Sequence, residues 1–260
     1  MSPQSDPPRS PTVGLFVTCL ADLFRPSVAF ASIRLLEHAG CRVSVPRAQT
    51  CCGQPALNSG DFESARGIAR QVIGAFEDFD YVVAPSGSCM ATVCKDYPDL
   101  FADDPPWRQR AEALAARTFE LLAFLVDVMA VTDVEARLPA KAAYHDSCSG
   151  LRSLGVKEQA RRLLGRVSDL ELVEMSNAEV CCGFGGTFCV KYPEISAKMA
   201  DDKIHGLETT GADVLLGGDL GCLLHLAGRM KRLGKATRVY HTAEVLADMA
   251  DAAGIGDPER

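Results

Sequence analysis

Two cysteine doublets, each followed by glycine, lie 130 positions apart as Cys51-Cys52-Gly53 and Cys181-Cys182-Gly183. A further cysteine precedes each doublet by 32 or 33 residues, and another follows it by 37 or 40 residues. Eight of the eleven cysteines therefore form two copies of one pattern: Cys19, Cys51, Cys52 and Cys89, then Cys148, Cys181, Cys182 and Cys222. Four thiolates are the ligands of an iron–sulfur cluster or a tetrahedral zinc ion, so the pattern predicts two metal centres.

Composition and charge exclude several classes of protein. The 260 residues, 47% of them apolar, suffice for one large domain or two of ordinary size. The cysteine count is odd and too low for a disulfide-stapled scaffold, which leaves the thiols available as ligands. A net charge of −7 argues against nucleic acid as a partner.

The sequence also indicates where the protein is located. Residues 1–12 are rich in proline and serine and are predicted to be disordered rather than a signal peptide. The longest apolar stretch, residues 119–131, contains Glu120 and Asp127 and is too short to span a bilayer. We therefore expect a cytoplasmic, reducing location without membrane insertion, where clustered cysteines are more often ligands than disulfides.

Short apolar runs alternate with helical periodicity in the same order in both halves of the chain. The pattern predicts an α/β fold with two pseudo-repeated β-α-β-α-β units and mainly parallel sheets. The predicted strands are 13–17, 42–45, 81–84, 142–144, 170–173, 214–216 and 238–240, and the predicted helices are 27–38, 61–76, 157–164, 194–209 and one from 242. We assign 13–104 to the first repeat, 105–139 to a linking helix, and 140–260 to the second repeat with a C-terminal strand and helix.

The elements explain how distant cysteines can meet. Each pattern has one cysteine after its first strand, a doublet after its second and one after its third. Ligands in parallel α/β sheets gather beyond the carboxyl ends of the strands, so each set of four thiols is expected at one sheet edge. Adjacent cysteines on a strand would point to opposite faces, and Gly53 and Gly183 supply the backbone freedom to turn there.

The cysteines lie in specific motifs that resemble the cysteine-rich CCG-domain iron–sulfur family. These motifs are Cys19-Leu20-Ala21-Asp22, Gln49-Thr50-Cys51-Cys52-Gly53-Gln54-Pro55 with Asn58-Ser59-Gly60, His145-Asp146-Ser147-Cys148, and Cys181-Cys182-Gly183-Phe184-Gly185-Gly186. The family includes a subunit of heterodisulfide reductase and the iron–sulfur subunits of glycolate oxidase and anaerobic glycerol-3-phosphate dehydrogenase. The compact two-copy form is most similar to members that take part in lactate utilization.

The resemblance implies cofactors, partners and a function. It implies two [4Fe-4S] clusters held by the eight patterned cysteines, in an electron-transfer subunit of a cytosolic complex that oxidises L-lactate to pyruvate. The expected partners are companion subunits of that complex and proteins that donate or accept electrons. Two alternatives remain open: a catalytic subunit like that of heterodisulfide reductase, and a zinc-stabilised interaction module without redox chemistry.

The sequence departs from the family pattern at one position in each copy. The fuller pattern ends in Cys-x-x-Cys, giving five thiols, but the first of these positions is Ser86 in one copy and Asp219 in the other. Asp219 is either an oxygen ligand or, as we favour, a carboxylate that caps a loop, since oxygen ligands suit harder metals. Four thiols per copy still suffice for a [4Fe-4S] cluster.

Several other residues have a possible chemical role and a simpler structural one. His145 and Asp146 are the catalytic candidates, and the role considered for them is proton transfer. A structural role, in which the histidine holds a loop by hydrogen bonds, is an equally good interpretation. Cys41, Cys94 and Cys189 are predicted to be packed in the interior, with Cys94 and Cys189 as alternative exchanging thiols. His241 is predicted to cap the last helix, and Arg25 to form hydrogen bonds at a helix start rather than to bind a carboxylate substrate or an acidic partner.

Overall fold

The structure is a computed structural model that describes residues 10–257. Most of the segment 1–12, predicted to be disordered, lies outside these residues, and Thr12 already opens the first strand. No helix within this range is long and apolar enough to cross a membrane.

Eight strands within residues 10–257 form two four-stranded sheets in which every pair is parallel. They are β1 (Thr12–Leu15), β2 (Arg42–Ser44), β3 (Tyr81–Ala84) and β4 (Thr118–Glu120) in the first sheet, and β5 (Arg137–His145), β6 (Ser168–Val173), β7 (Val214–Gly217) and β8 (Arg238–His241) in the second. The strand orders, β2-β1-β3-β4 and β6-β5-β7-β8, are the same in both repeats. The predicted α/β fold with two pseudo-repeated units is confirmed.

Helices connect the strands, as parallel pairing requires. They are α1 (Cys19–Phe24), α2 (Ser27–His38), α3 (Gln54–Asn58), α4 (Phe62–Phe76), α5 (Gly87–Ala91), α6 (Tyr97–Leu100), α7 (Pro105–Ala115), α8 (Leu121–Ala123), α9 (Cys148–Leu154), α10 (Glu158–Leu164), α11 (Phe188–Lys191), α12 (Pro193–Glu208), α13 (Leu220–Arg232) and α14 (Thr242–Leu246), with π-helical turns at Thr92–Asp96 and Phe124–Val128. Asp61 caps α4 as predicted, since its carboxylate accepts a hydrogen bond from the Ser64 N–H at 3.1 Å.

The prediction of one linking helix over 105–139 is wrong. Only Pro105–Ala115 forms a long helix there; Thr118–Glu120 is β4, the edge strand of the first sheet, and β5 already begins at Arg137. The ring of Phe119 packs against the Tyr81 ring, which anchors β4 beside β3. In a short, continuous apolar run, the spacing of hydrophobic residues is the same for a buried strand as for a buried helix. The helix assignment was wrong for this reason.

Two of the three hydrophobic clusters in residues 10–257 contain buried side chains of both repeats. One cluster of buried side chains joins Val13 and Leu15 of β1 to Tyr144 of β5 and Leu216 of β7. The start of α2 is also tied to the second repeat, because Arg25 forms a 2.7 Å salt bridge with the fully buried carboxylate of Glu244. Arg25 therefore joins the repeats instead of making only the local hydrogen bonds predicted for it.

Candidate metal centres

The first set of thiols meets at the carboxyl edge of the first sheet. The Cys19 sulfur lies 3.9 Å from the Cys51 sulfur, and the Cys52 thiol interacts with the thiols of Cys51 and Cys89. All four cysteines line a cavity of about 270 Å³. The Cys52 side chain is the most deeply buried of the four, and Tyr97 fixes its backbone by donating to the Cys52 carbonyl at 2.9 Å.

The second set repeats this arrangement at the edge of the second sheet. The thiols of Cys148 and Cys181 interact with each other, and the Cys182 thiol interacts with those of Cys181 and Cys222. Backbone N–H groups also point at the sulfurs: Gly183 donates to Cys181 at 3.4 Å and Phe184 to Cys182 at 3.5 Å. The structure thus brings each predicted set of four thiols together, and these clusters are able to bind metal.

The proton distribution within each set follows from these contacts. The hydrogen bond from the Cys19 thiol, assisted by Cys52, lowers the pKa of Cys51 to about 2. The neighbouring thiol of Cys148 likewise lowers the pKa of Cys181 to about 2. The neighbouring thiols of Cys181 and Cys222 raise the pKa of Cys182, and burial adds to this effect. One sulfur of each doublet is therefore a stabilised thiolate, the form that binds metal.

Both doublets turn at a glycine with a left-handed backbone, as predicted. The φ angle is 81° at Gly53 and 90° at Gly183. A Cβ at Gly183 would lie 2.6 Å from the Ser196 carbonyl oxygen and 2.9 Å from Met199 Cβ. Glycine at this position therefore allows both the turn and the close approach of α12.

Gly183→Ala is expected to lower the free energy of unfolding by about 2–4 kcal/mol, because left-handed backbone costs about 1–2 kcal/mol and the collision with α12 adds to it. Gly40→Ala is the control, since Gly40 has a φ of 89° but open space around its Cβ position. Denaturant unfolding of both variants measures the difference. Equal losses would show that the contact with Ser196 has no energetic effect.

Asp219 and Ser86, which replace the fifth cysteines, contact each other across the two repeats. The Ser86 hydroxyl donates to Asp219 Oδ2 at 3.2 Å, and the same oxygen accepts from the Ser88 N–H at 2.9 Å. Asp219 Oδ1 caps α13 by accepting from the Gly221 N–H. The capping interpretation of Asp219 is confirmed, and its two oxygens are occupied by donors from both repeats.

The two catalytic candidates have different environments. The Asp146 carboxylate is buried and accepts two hydrogen bonds from the Arg161 guanidinium, at 2.6 and 2.8 Å. This carboxylate is engaged in a structural ion pair. The His145 ring is 1% exposed, and burial lowers its pKa to about 3, so the ring is neutral. Neither ring nitrogen of His145 has a hydrogen-bond partner of normal geometry.

The remaining predicted residues have structural contacts. His241 caps α14 by accepting from the Ala243 N–H, as predicted. Cys41 is buried, whereas Cys94 and Cys189 are only partly buried. The Cys94 thiol donates to the Thr118 carbonyl at 3.5 Å, and the Cys189 thiol donates to the Gly186 carbonyl at 3.1 Å.

Sequence reasoning missed two features of the centres. Phe184 of the second repeat lines the cavity of the first centre, and its ring occupies the space where a side chain at Gly221 would lie. Lys203 is buried in α12 near Cys182 and Cys222, donates to the carbonyls of Asn177 and Ala178, and has a pKa lowered to about 8 by burial. The available signals in the sequence were a glycine beside a patterned cysteine and a lysine on an otherwise apolar helix face.

Comparison with known proteins identifies the family. The model of the CCG cysteine-rich domain matches residues 13–93 and 142–227, one match in each repeat. Lactate utilization protein A of Geobacillus kaustophilus is 55% identical over 234 residues, which are 90% of this chain and 98% of the relative. The chain belongs to the CCG cysteine-rich domain family. Lactate utilization protein A of Exiguobacterium sp. is 52% identical over 238 residues, 91% of this chain and 97% of the relative. The resemblance found in the cysteine motifs is thereby confirmed.

A solved structure supports the fold independently of close sequence similarity. A hypothetical protein from Helicobacter pylori superposes with a TM-score of 0.66 at 12% identity, covering 96% of this chain. The present chain spans about half, 52%, of that longer protein. At this level of identity the likeness shows the fold alone.

Proposed function

We propose that this chain is an iron–sulfur electron-transfer subunit that binds two [4Fe-4S] clusters, one in each repeat, through the eight patterned cysteines. The observation that carries the proposal is the convergence of four thiols at the same sheet edge in both repeats. Backbone N–H groups of Gly53, Gly183 and Phe184 point at these sulfurs, which is the type of contact that tunes cluster potential.

The four-thiol donor set fits an iron–sulfur cluster better than the alternatives. Asp219 caps α13 and accepts hydrogen bonds from the Ser86 hydroxyl and the Ser88 N–H. Neither residue at a fifth-cysteine position is therefore free to act as the fifth ligand that a cluster of the heterodisulfide reductase type would use. Structural zinc sites usually bring their cysteines as close Cys-x₂₋₄-Cys pairs. Neither repeat contains two such pairs. When bound, the clusters supply one-electron redox chemistry.

The family relationship gives the physiological reaction that we propose. The relatives carry the name lactate utilization protein A, and we infer that this chain relays electrons in a cytoplasmic complex that oxidises L-lactate to pyruvate. Oxidation of a hydroxy acid releases two electrons, and two one-electron centres in one chain suit their transfer to an acceptor.

The surface around the first centre supports companion subunits as partners. Leu23 and Phe24, on the helix that begins at Cys19, are 71% and 62% exposed. Val190, which lines the cavity of the first centre, is 78% exposed. Large apolar side chains in water next to a redox centre are typical of a surface that another protein covers.

Iron and acid-labile sulfide counts test the proposal directly. Protein purified without air is expected to be brown and to contain about eight iron and eight sulfide per chain, since each four-iron cluster contributes four of each. About four of each would leave one repeat without a cluster. Colourless protein with stoichiometric zinc would instead establish the interaction module. Growth on L-lactate of a host lacking this gene, with and without the restored chain, tests the reaction.

A further inference from the structure

His145 is a buried polar side chain without a structural partner of normal geometry. It is the last residue of β5, it is 1% exposed, and both its ring nitrogens lack a hydrogen bond. The nearby Ala178 carbonyl already accepts from the Asp146 N–H at 3.2 Å and from the Lys203 ammonium at 2.9 Å. Buried polar groups without a hydrogen-bond partner are rare because they destabilise the fold, so a further partner for the imidazole ring of His145 is expected.

The ring lies against two sulfurs of the second centre. One ring nitrogen and the sulfurs of Cys182 and Cys222 all lie within 4.8 Å of one another. Imidazole nitrogen combined with thiolate sulfur is a common donor set for iron and zinc.

The first repeat has no such donor. Its counterpart of His145 is Phe16, since each residue lies three positions before the first cysteine of its set. Phe16 is fully buried, and its ring stacks on Phe76 with centroids 5.3 Å apart. In the first repeat a phenylalanine fills this buried position. Packing alone therefore does not explain why the second repeat has a histidine there.

We propose that His145 supplies a nitrogen ligand to the second centre, together with the buried thiols Cys182 and Cys222. It takes the place of one of the two less buried thiols, Cys148 or Cys181, so that the cluster keeps four protein ligands. The second centre is then a mixed histidine–cysteine centre, whereas the first is bound by cysteine alone. This inference rests on the proposed function, because it requires that the second set of thiols binds an iron–sulfur cluster. Neutral imidazole in place of thiolate raises the reduction potential of such a cluster, so the second centre has the higher potential.

A role for His145 in proton transfer does not fit the same contacts. The ring is closed off from solvent, and the neighbouring carboxylate of Asp146 is held by both nitrogens of the Arg161 fork. A general base needs a route to the proton that it accepts and usually a group that orients it. His145 has the sulfurs of the second centre beside it instead.

Pulsed EPR of the reduced protein tests this assignment. The Cys52→Ser chain is used, so that the second centre dominates the spectrum, with histidine either unlabelled or labelled with ¹⁵N. We expect a ¹⁴N coupling that changes to ¹⁵N on labelling and disappears in His145→Phe, which introduces the residue of the first repeat. His225→Gln is the matched control, because His225 lies in the same repeat but contacts Ser196 at 3.2 Å; it should keep the coupling.

The outcomes separate the inference from the proposed function. A signal without a histidine coupling, or a coupling that persists in His145→Phe, would overturn the assignment of His145 while leaving the cluster in place. Loss of the coupling in His225→Gln alone would show that the nitrogen belongs to His225 and not to His145. If the Cys52→Ser chain binds no iron, the two centres assemble only together, and the same spectra are recorded on the chain that has both sets of cysteines. Absence of iron from that chain as well refutes both the second cluster and its histidine ligand.

Discussion

Replacing Cys52 or Cys182 with serine is expected to remove about half of the bound iron and sulfide in each case, because each substitution abolishes one four-iron site. These two positions are chosen because each thiol contacts two others of its set. They are also buried, at 3% and 1% exposure, so no external thiol can easily replace them. Serine is close to cysteine in size, so the fold is expected to be retained. Loss of iron then shows that the replaced thiol was a ligand.

Cys94→Ser is the matched control for this experiment. Cys94 is partly buried, and its thiol donates to the Thr118 carbonyl and lies outside both sets. This variant should retain its full iron and sulfide. A full complement in Cys52→Ser or Cys182→Ser would contradict the ligand assignment of that repeat, and total loss in Cys182→Ser would show that the first centre assembles only together with the second.

The sequence predicted the position of the thiols better than their surroundings. The glycine after each doublet and the strand that precedes each patterned cysteine or doublet are local signals, and they were enough to place four sulfurs at each sheet edge. Contacts between repeats have no local signal. Three contacts join residues of different repeats: the pairing of Ser86 with Asp219, the Phe184 ring beside the first set of thiols, and the salt bridge from Arg25 to Glu244.

The missed strand β4 has a similar physical origin. Thr118, Phe119 and Glu120 belong to an apolar run whose helical and extended forms both bury its side chains. Pairing with β3 decides between them, and that pairing is a tertiary contact. The strand places Glu120 at the carboxyl edge of the first sheet, near Asp219 and the second repeat.

Glu120 gives the stability of this protein a predictable dependence on pH. Burial raises the pKa of Glu120 to about 8, and the nearby acids Asp219 and Asp127 add to the rise. The unfolded chain has the usual glutamate pKa of about 4.3. Between these values the folded protein keeps the proton and the unfolded chain loses it, so stability falls as pH rises, by up to about 1.4 kcal/mol per pH unit.

Glu120→Gln should remove this part of the pH dependence. The amide oxygen can still accept from the N–H groups of Leu122 and Ala123, which the carboxylate contacts at 2.7 and 3.1 Å. We expect the variant to be increasingly more stable than the native protein as pH rises from 6 towards 8, and the gain to level off above about 8, where the folded protein also loses the proton.

Denaturant unfolding of both proteins at a series of pH values measures this gain. His145 and His241, whose pKa values burial lowers, contribute an opposite slope at acid pH, but they do so equally in both proteins and cancel in the difference. Glu112→Gln is the control: its carboxylate is 53% exposed beside Arg108, so its effect should stay within about 0.5 kcal/mol at every pH. If the difference for Glu120→Gln is equally independent of pH, Glu120 is already ionised in the folded protein.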